Sequence, residues 1–66
     1  VTNNVRAART EAHLTQAQLA EQVQVSRQTI HAIEVGKYIP STLLALKIGQ
    51  VLGKRIEELF RLEEGD

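Results

Sequence analysis

Cysteine, methionine and tryptophan are missing from this chain of 66 residues, and its aromatics are one tyrosine and one phenylalanine. Without cysteine, neither a disulfide framework nor a thiolate metal site can stabilise so short a chain. Compact helix packing is the remaining route to a fold at this length, and a reducing cytoplasm suits such a composition. No apolar run approaches the roughly 18 residues that cross a membrane, and the start lacks the charged-then-apolar layout of a secretory signal. The expectation is a soluble, cytoplasmic protein with no membrane partner. Strand alternation, internal repeats, low-complexity tracts and linkers are also missing, so residues 1–66 read as a single domain.

Catalytic material is equally scarce. The histidines are His13 and His31, on separate predicted helices, and the serines are Ser26 and Ser41, both used as helix caps. Neither histidine has the carboxylate or glycine-rich surroundings of a base, a metal site or a phosphate cradle. Glu57–Glu58 is the nearest approach to a paired-carboxylate site, and exposure in a first helical turn explains it fully. No enzyme, metal or cofactor is expected.

What the chain does have is charge asymmetry and helical periodicity. Its formal net charge is zero, yet residues 1–56 carry seven basic side chains against three acidic ones, and residues 57–66 carry one against five. A basic body with an acidic C-terminal end keeps an anionic partner open despite the neutral sum.

The periodicity is densest from Leu14 to Gly36. Thr15 followed by Gln18 is a capping box opening a helix whose inward residues are Leu14, Leu19, Ala20 and Val23. Ser26 caps the next helix, which carries Ile30 and Ile33 inward and ends at Gly36. Only Gln24 and Val25 separate Val23 from Ser26. So short a connection forces a steep crossing, which gives a helix-turn-helix at about residues 15–35.

Around this motif the remaining elements read in order. Residues 1–4 are polar and expected to fray, with Asn3 or Asn4 available as a cap. The first helix, from Val5 to about His13, has the inward stripe Val5, Ala8, Arg9 and Ala12. Ser41 caps a fourth helix, apolar around most of its circumference, and Gly49 within it signals close approach of a neighbouring helix. After Gly53 a short fifth helix carries Ile56, Leu59 and Phe60, and Leu62 falls out of phase with it. Two charges lie on apolar stripes, Arg9 in the first helix and Glu34 in the third. Either they pair across the two helices, or both snorkel to water at the stripe edges.

With Ile30 and Ile33 inward, the third helix leaves Arg27, Gln28, His31, Ala32 and Val35 on its outer face and exposed start. Arginine can give two hydrogen bonds to guanine, and glutamine can pair with adenine. Both stand at the end of a second helix that reaches base edges first when it enters a major groove. Gln16 and the backbone amides at the start of the preceding helix face the same side, and Lys37 and Tyr38 flank the other, as candidate phosphate contacts.

The segments LTQAQLAEQV, VSRQTIHAIE, VGKYIPS, LALKI and IEELF, in that order, resemble the lambda-repressor-like helix-turn-helix regulators, the Cro/CI or XRE-type family. The resemblance covers nearly the whole chain. It implies an all-α, compact five-helix DNA-binding domain, with the helix-turn-helix at helices 2 and 3, that binds double-stranded DNA as a homodimer on a twofold operator. Carried over residue by residue, it makes Arg27 and Gln28 base readers and His31 and Ala32 variable positions facing the groove; with Thr29 beside them these are the expected base-reading set. It makes Gln16 and Lys37 phosphate contacts, to which Ser26 and Tyr38 are added by position as the expected phosphate-contacting set, and the resemblance also supports the Arg9–Glu34 ion pair. The chain departs from the family where Gln24 replaces the usual turn glycine, where Val35 replaces a frequent asparagine, and where Arg55 replaces a serine or threonine cap. The implied function is transcriptional regulation by a repressor. The alternative is a protein-interaction module, such as an antitoxin that binds a partner protein, which the zero net charge and acidic end favour.

Overall fold

Three hydroxyl side chains set three of the helix starts in the computed structural model, which describes residues 1–66. Thr15 Oγ1 accepts from the Gln18 backbone N–H at 3.0 Å, while the Thr15 N–H donates to Gln18 Oε1 at 2.8 Å, which closes the capping box of α2 (Gln16–Val23). Ser26 Oγ accepts from the Thr29 N–H at 3.2 Å to start α3 (Arg27–Glu34), and Ser41 Oγ does the same with Leu44 to start α4 (Thr42–Leu52). Each bond satisfies a backbone donor that has no partner within its helix. The single turn of α5 (Ile56–Leu59) starts differently: the Glu58 carboxylate accepts from the Arg55 N–H at 3.0 Å, and with no hydroxyl cap the Glu58 N–H donates to the Arg55 backbone carbonyl at 2.9 Å.

The first helix, α1 (Val5–Glu11), stops earlier than its stripe implies. Ala12 forms the C-cap and is exposed, because His13 turns left-handed at φ 60° and sends the chain toward α2. Gln24 does the same after α2, at φ 63° and ψ 43°, and this one residue makes the turn between α2 and α3. Gly36 (φ 82°) follows α3.

The expectation that residues 1–4 fray and that the chain has no strand is overturned. Thr2–Asn3 (β1) pairs antiparallel with Phe60–Arg61 (β2), Thr2 opposite Arg61 and Asn3 opposite Phe60. The Asn4 N–H extends the pairing to the Leu59 carbonyl at 2.8 Å. Two residues per strand are too few for any alternation to register in sequence. Asn3 also locks the start of the chain to the helices: its Oδ1 accepts from the Val5 N–H at 3.1 Å and its Nδ2 donates to the Ile33 carbonyl at 2.9 Å.

One cluster makes the core, with Val5 and Ala8 from α1, Leu19, Ala20 and Val23 from α2, Ile30 and Ile33 from α3, Leu44, Ile48 and Leu52 from α4, and Leu59 from α5. Thus α2 packs on both α3 and α4, and α1 packs on α3. The burial of α4 is one-sided: Leu44, Ala45, Ile48, Gly49 and Leu52 face inward while Leu43 and Leu46 stay exposed. The close approach at Gly49 comes from backbone and not from a helix. A Cβ there would lie 2.7 Å from the Lys54 carbonyl oxygen, in the turn before α5.

Candidate nucleic-acid interface

Ile30 and Ile33 are fully buried, and this fixes the rotation of α3 about its axis. Arg27, Gln28 and His31 are therefore exposed on the opposite side, where they line one concavity of about 220 Å³ that contains no apolar side chain. Ala32 is half-buried one turn on. Thr29 is also half-buried, and its hydroxyl lies 3.0 Å from that of Ser26, so the two hydroxyls form a pair at the helix start. Lys37 and Tyr38 are exposed just past the other end of α3, where their backbone N–H groups donate to the Ala32 carbonyl at 2.9 and 3.2 Å. An eight-residue helix separates these two flanks by about 12 Å.

The two stripe charges meet. Arg9 Nε donates to Glu34 Oε2 at 2.6 Å and Arg9 Nη2 to Glu34 Oε1 at 3.2 Å, a two-pronged pair joining α1 to α3. Arg9 Nη1 donates to the Leu14 carbonyl at 2.8 Å. The Glu34 side chain is only 2% exposed. Burial pushes its carboxyl upward, but the hydrogen bonds from Arg9 and Gln16, with the charges of Arg9 and Arg6, outweigh burial and hold it below the usual glutamate value.

Gln16 is the residue whose surroundings sequence alone did not give. Its Nε2 donates to Glu34 Oε1 at 3.0 Å and lies 3.4 Å from His31 Nδ1. The only advance signal was that His31 and Glu34 stand three residues apart on one helix, so a side chain reaching the second passes the first. No cluster of histidine and acidic side chains able to hold a metal is formed, and no helix is long and apolar enough to cross a membrane.

The arrangement is thus a helix with its polar start exposed, a second helix crossing behind it, and a buried ion pair bracing the two against α1. A family model described as helix-turn-helix matches residues 5–59. The chain belongs to this XRE-type helix-turn-helix family. The match runs from α1 to the end of α5, so the helix-turn-helix family domain takes in every helix of the fold. Among similar proteins, an uncharacterised HTH-type transcriptional regulator from Methanothermobacter thermautotrophicus is 51% identical over 61 residues, 91% of this chain and 88% of that protein. The uncharacterised HTH-type transcriptional regulator YgzD of Bacillus subtilis is 47% identical and covers 94% of each chain. A third, from Methanocaldococcus jannaschii, is 47% identical over 97% of each. Membership of this family identifies a DNA-binding helix-turn-helix protein and not an enzyme.

Proposed function

We propose that this protein is a sequence-specific transcriptional regulator that represses by occupying a twofold operator as a homodimer, with α3 in the major groove. The observation that carries the reading is the convergence of Arg27, Gln28 and His31 at the exposed start of a helix whose rotation is fixed by two buried isoleucines. Arg27 would pair with guanine and Gln28 with adenine, and Thr29, His31 and Ala32 would complete the base-reading set. Ser26, Lys37, Tyr38 and the free backbone N–H groups of Gln16 and Ala17 at the start of α2 would hold phosphates on either side. The working compartment in this reading is the cytoplasm.

The dimer is supported by exposed apolar side chains on α4 and around α5. Ile39, Leu43, Leu46 and Leu62 are 64%, 65%, 52% and 84% exposed. Two of these, Ile39 and Leu62, line a concavity of about 290 Å³ together with Pro40, Ala45, Ile56, Phe60 and Arg61. The same patch supports the second reading, docking of a partner protein as in an antitoxin.

Selection of bound sites from random DNA, followed by two variants, tests the proposal. Arg27→Ala should cost about 1–3 kcal/mol at one base position and relax preference there. Lys37→Ala should weaken every sequence alike and lower the salt slope by about 1. Failure to bind any DNA at low salt would sink the operator reading and leave the partner-protein one.

A further inference from the structure

We propose that the Gln16 side chain acts on DNA recognition through His31: it holds the imidazole so that Nδ1 faces α2 and Nε2–H faces the groove, which makes His31 a hydrogen-bond donor selecting an acceptor on a base edge. This role rests on α3 entering the major groove, as proposed above.

Glu34 anchors the Gln16 side chain. Its carboxylate is ionised, tied to Arg9 and almost fully buried, so it can only accept hydrogen bonds. The Gln16 atom 3.0 Å from Glu34 Oε1 must therefore be the amide nitrogen and not the amide oxygen. That fixes which way the Gln16 amide points. The same nitrogen lies 3.4 Å from His31 Nδ1, and its second hydrogen is the one available to that contact. A donor facing Nδ1 requires a lone pair there, so the neutral ring carries its hydrogen on Nε2. Both amide hydrogens of Gln16 are then committed within the protein, and its remaining polar atom, Oε1, is an acceptor that a phosphate oxygen would repel.

The consequence separates two roles that sequence had merged. The backbone N–H of Gln16, at the first position of α2, stays free for an anion, while its side chain serves as a positioning group for His31. His31 shares its concavity with Arg27 and Gln28, and its Nε2 has no partner within the protein. A donor there suits guanine O6 or N7, adenine N7 or thymine O4, and is wrong for the amino groups of cytosine and adenine. The buried ion pair thereby connects to sequence choice: Arg9 fixes Glu34, Glu34 fixes the Gln16 amide, and the amide fixes the ring.

The experiment combines ring spectroscopy on the free protein with binding. Nitrogen-15 spectra of His31, taken where the ring is neutral, should show hydrogen on Nε2 alone in the wild type and a mixture of tautomers in Gln16→Met. Gln16→Lys keeps N–H donors and should retain the wild-type ring signature, which guards against general damage by the first variant. In binding, Gln16→Met should lower discrimination about 5-fold or more at the base pair read by His31 and leave the salt slope unchanged. In a His31→Ala background the same change should have no effect on discrimination. A wild-type ring with hydrogen on Nδ1 overturns this role while leaving groove recognition standing. A Gln16→Met variant that weakens all sequences equally, lowers the salt slope by about 1 and does so with His31 absent also overturns it, by making the side chain a phosphate contact. Lack of any sequence-specific binding by the wild type would remove the groove reading itself, and this role with it.

Discussion

Single residues carry the least expected features of this fold, and the Arg9–Glu34 pair is the most consequential. A charge on an apolar stripe is costly alone, which is why two of opposite sign on facing helices were legible as partners in sequence. Removing one leaves the other stranded: Glu34→Ala should cost about 3 kcal/mol, or about 20 °C in thermal midpoint for a domain of this size. Replacing both, as in Arg9→Met with Glu34→Leu, should recover most of that loss, because apolar packing substitutes for a desolvated pair. The pair also sets a pH dependence. Glu34 is held below its ordinary value of 4.5, so its contribution is fully present above that value and is lost as pH falls through the lower folded value. Acid melts should therefore fall more steeply below about pH 4.5 for the wild type than for Glu34→Gln, and parallel curves would show that the pair does not link protonation to folding. The partnership of Gln16 with His31 was not legible, since it depends on how steeply α2 crosses α3. His13 was missed for a related reason: a non-glycine residue gives no local sign that it will turn left-handed, whereas Gln24 stood where a glycine is usual.

At the scale of elements, caps were the most readable feature, because a hydroxyl bonding to a backbone N–H three residues on is a wholly local event. The ribbon between β1 and β2 was the least readable, since it joins the two ends of the chain, Thr2 to Arg61 and Asn3 to Phe60, through strands too short to leave a pattern. The α4 helix falls between these cases. Its glycine signalled close approach, but the approaching group is the Lys54 carbonyl, whose own N–H donates back to the Gly49 carbonyl at 3.0 Å. This geometry yields an expectation against ordinary helix propensity. A glycine-to-alanine change inside a helix should stabilise by about 1 kcal/mol, yet Gly49→Ala puts a methyl 2.7 Å from a backbone oxygen that cannot swing away. The net outcome should be a lower midpoint, with a destabilisation of about 1–3 kcal/mol as for other overpacked sites. A midpoint raised by the substitution would show that the turn between α4 and α5 is free to shift.

For the whole molecule, the neutral charge sum hides a division of labour. Arg27 and Lys37 bracket α3, whereas five of the eight acidic side chains lie from Glu57 onward, on α5 and the segment after it. That end pairs with β1 and adjoins the C-terminal end of α3 rather than its start, through Asn3 and the Ile33 carbonyl. Repulsion from the acidic end therefore falls away from the proposed reading residues. One chain presents one α3, and its longest dimension is 33 Å. A twofold operator separates its half-sites by about 34 Å, so reading both demands a second copy joined through a surface other than α3. Leu43, Leu46 and Leu62 provide such a surface on the dimerisation proposal, and because they are exposed, changing them should not unfold the protein. Leu43→Ser with Leu46→Ser should leave the thermal midpoint of the monomer near that of the wild type and shift sedimentation at micromolar concentration from dimer to monomer. Binding to the full operator should weaken about 100-fold as the linked second contact is lost, while binding to an isolated half-site is retained. A wild type that sediments only as monomer at about 10 μM and binds full and half sites equally would refute the twofold arrangement, leaving α3 as a reader of single half-sites and the apolar patch as the seat of a different protein.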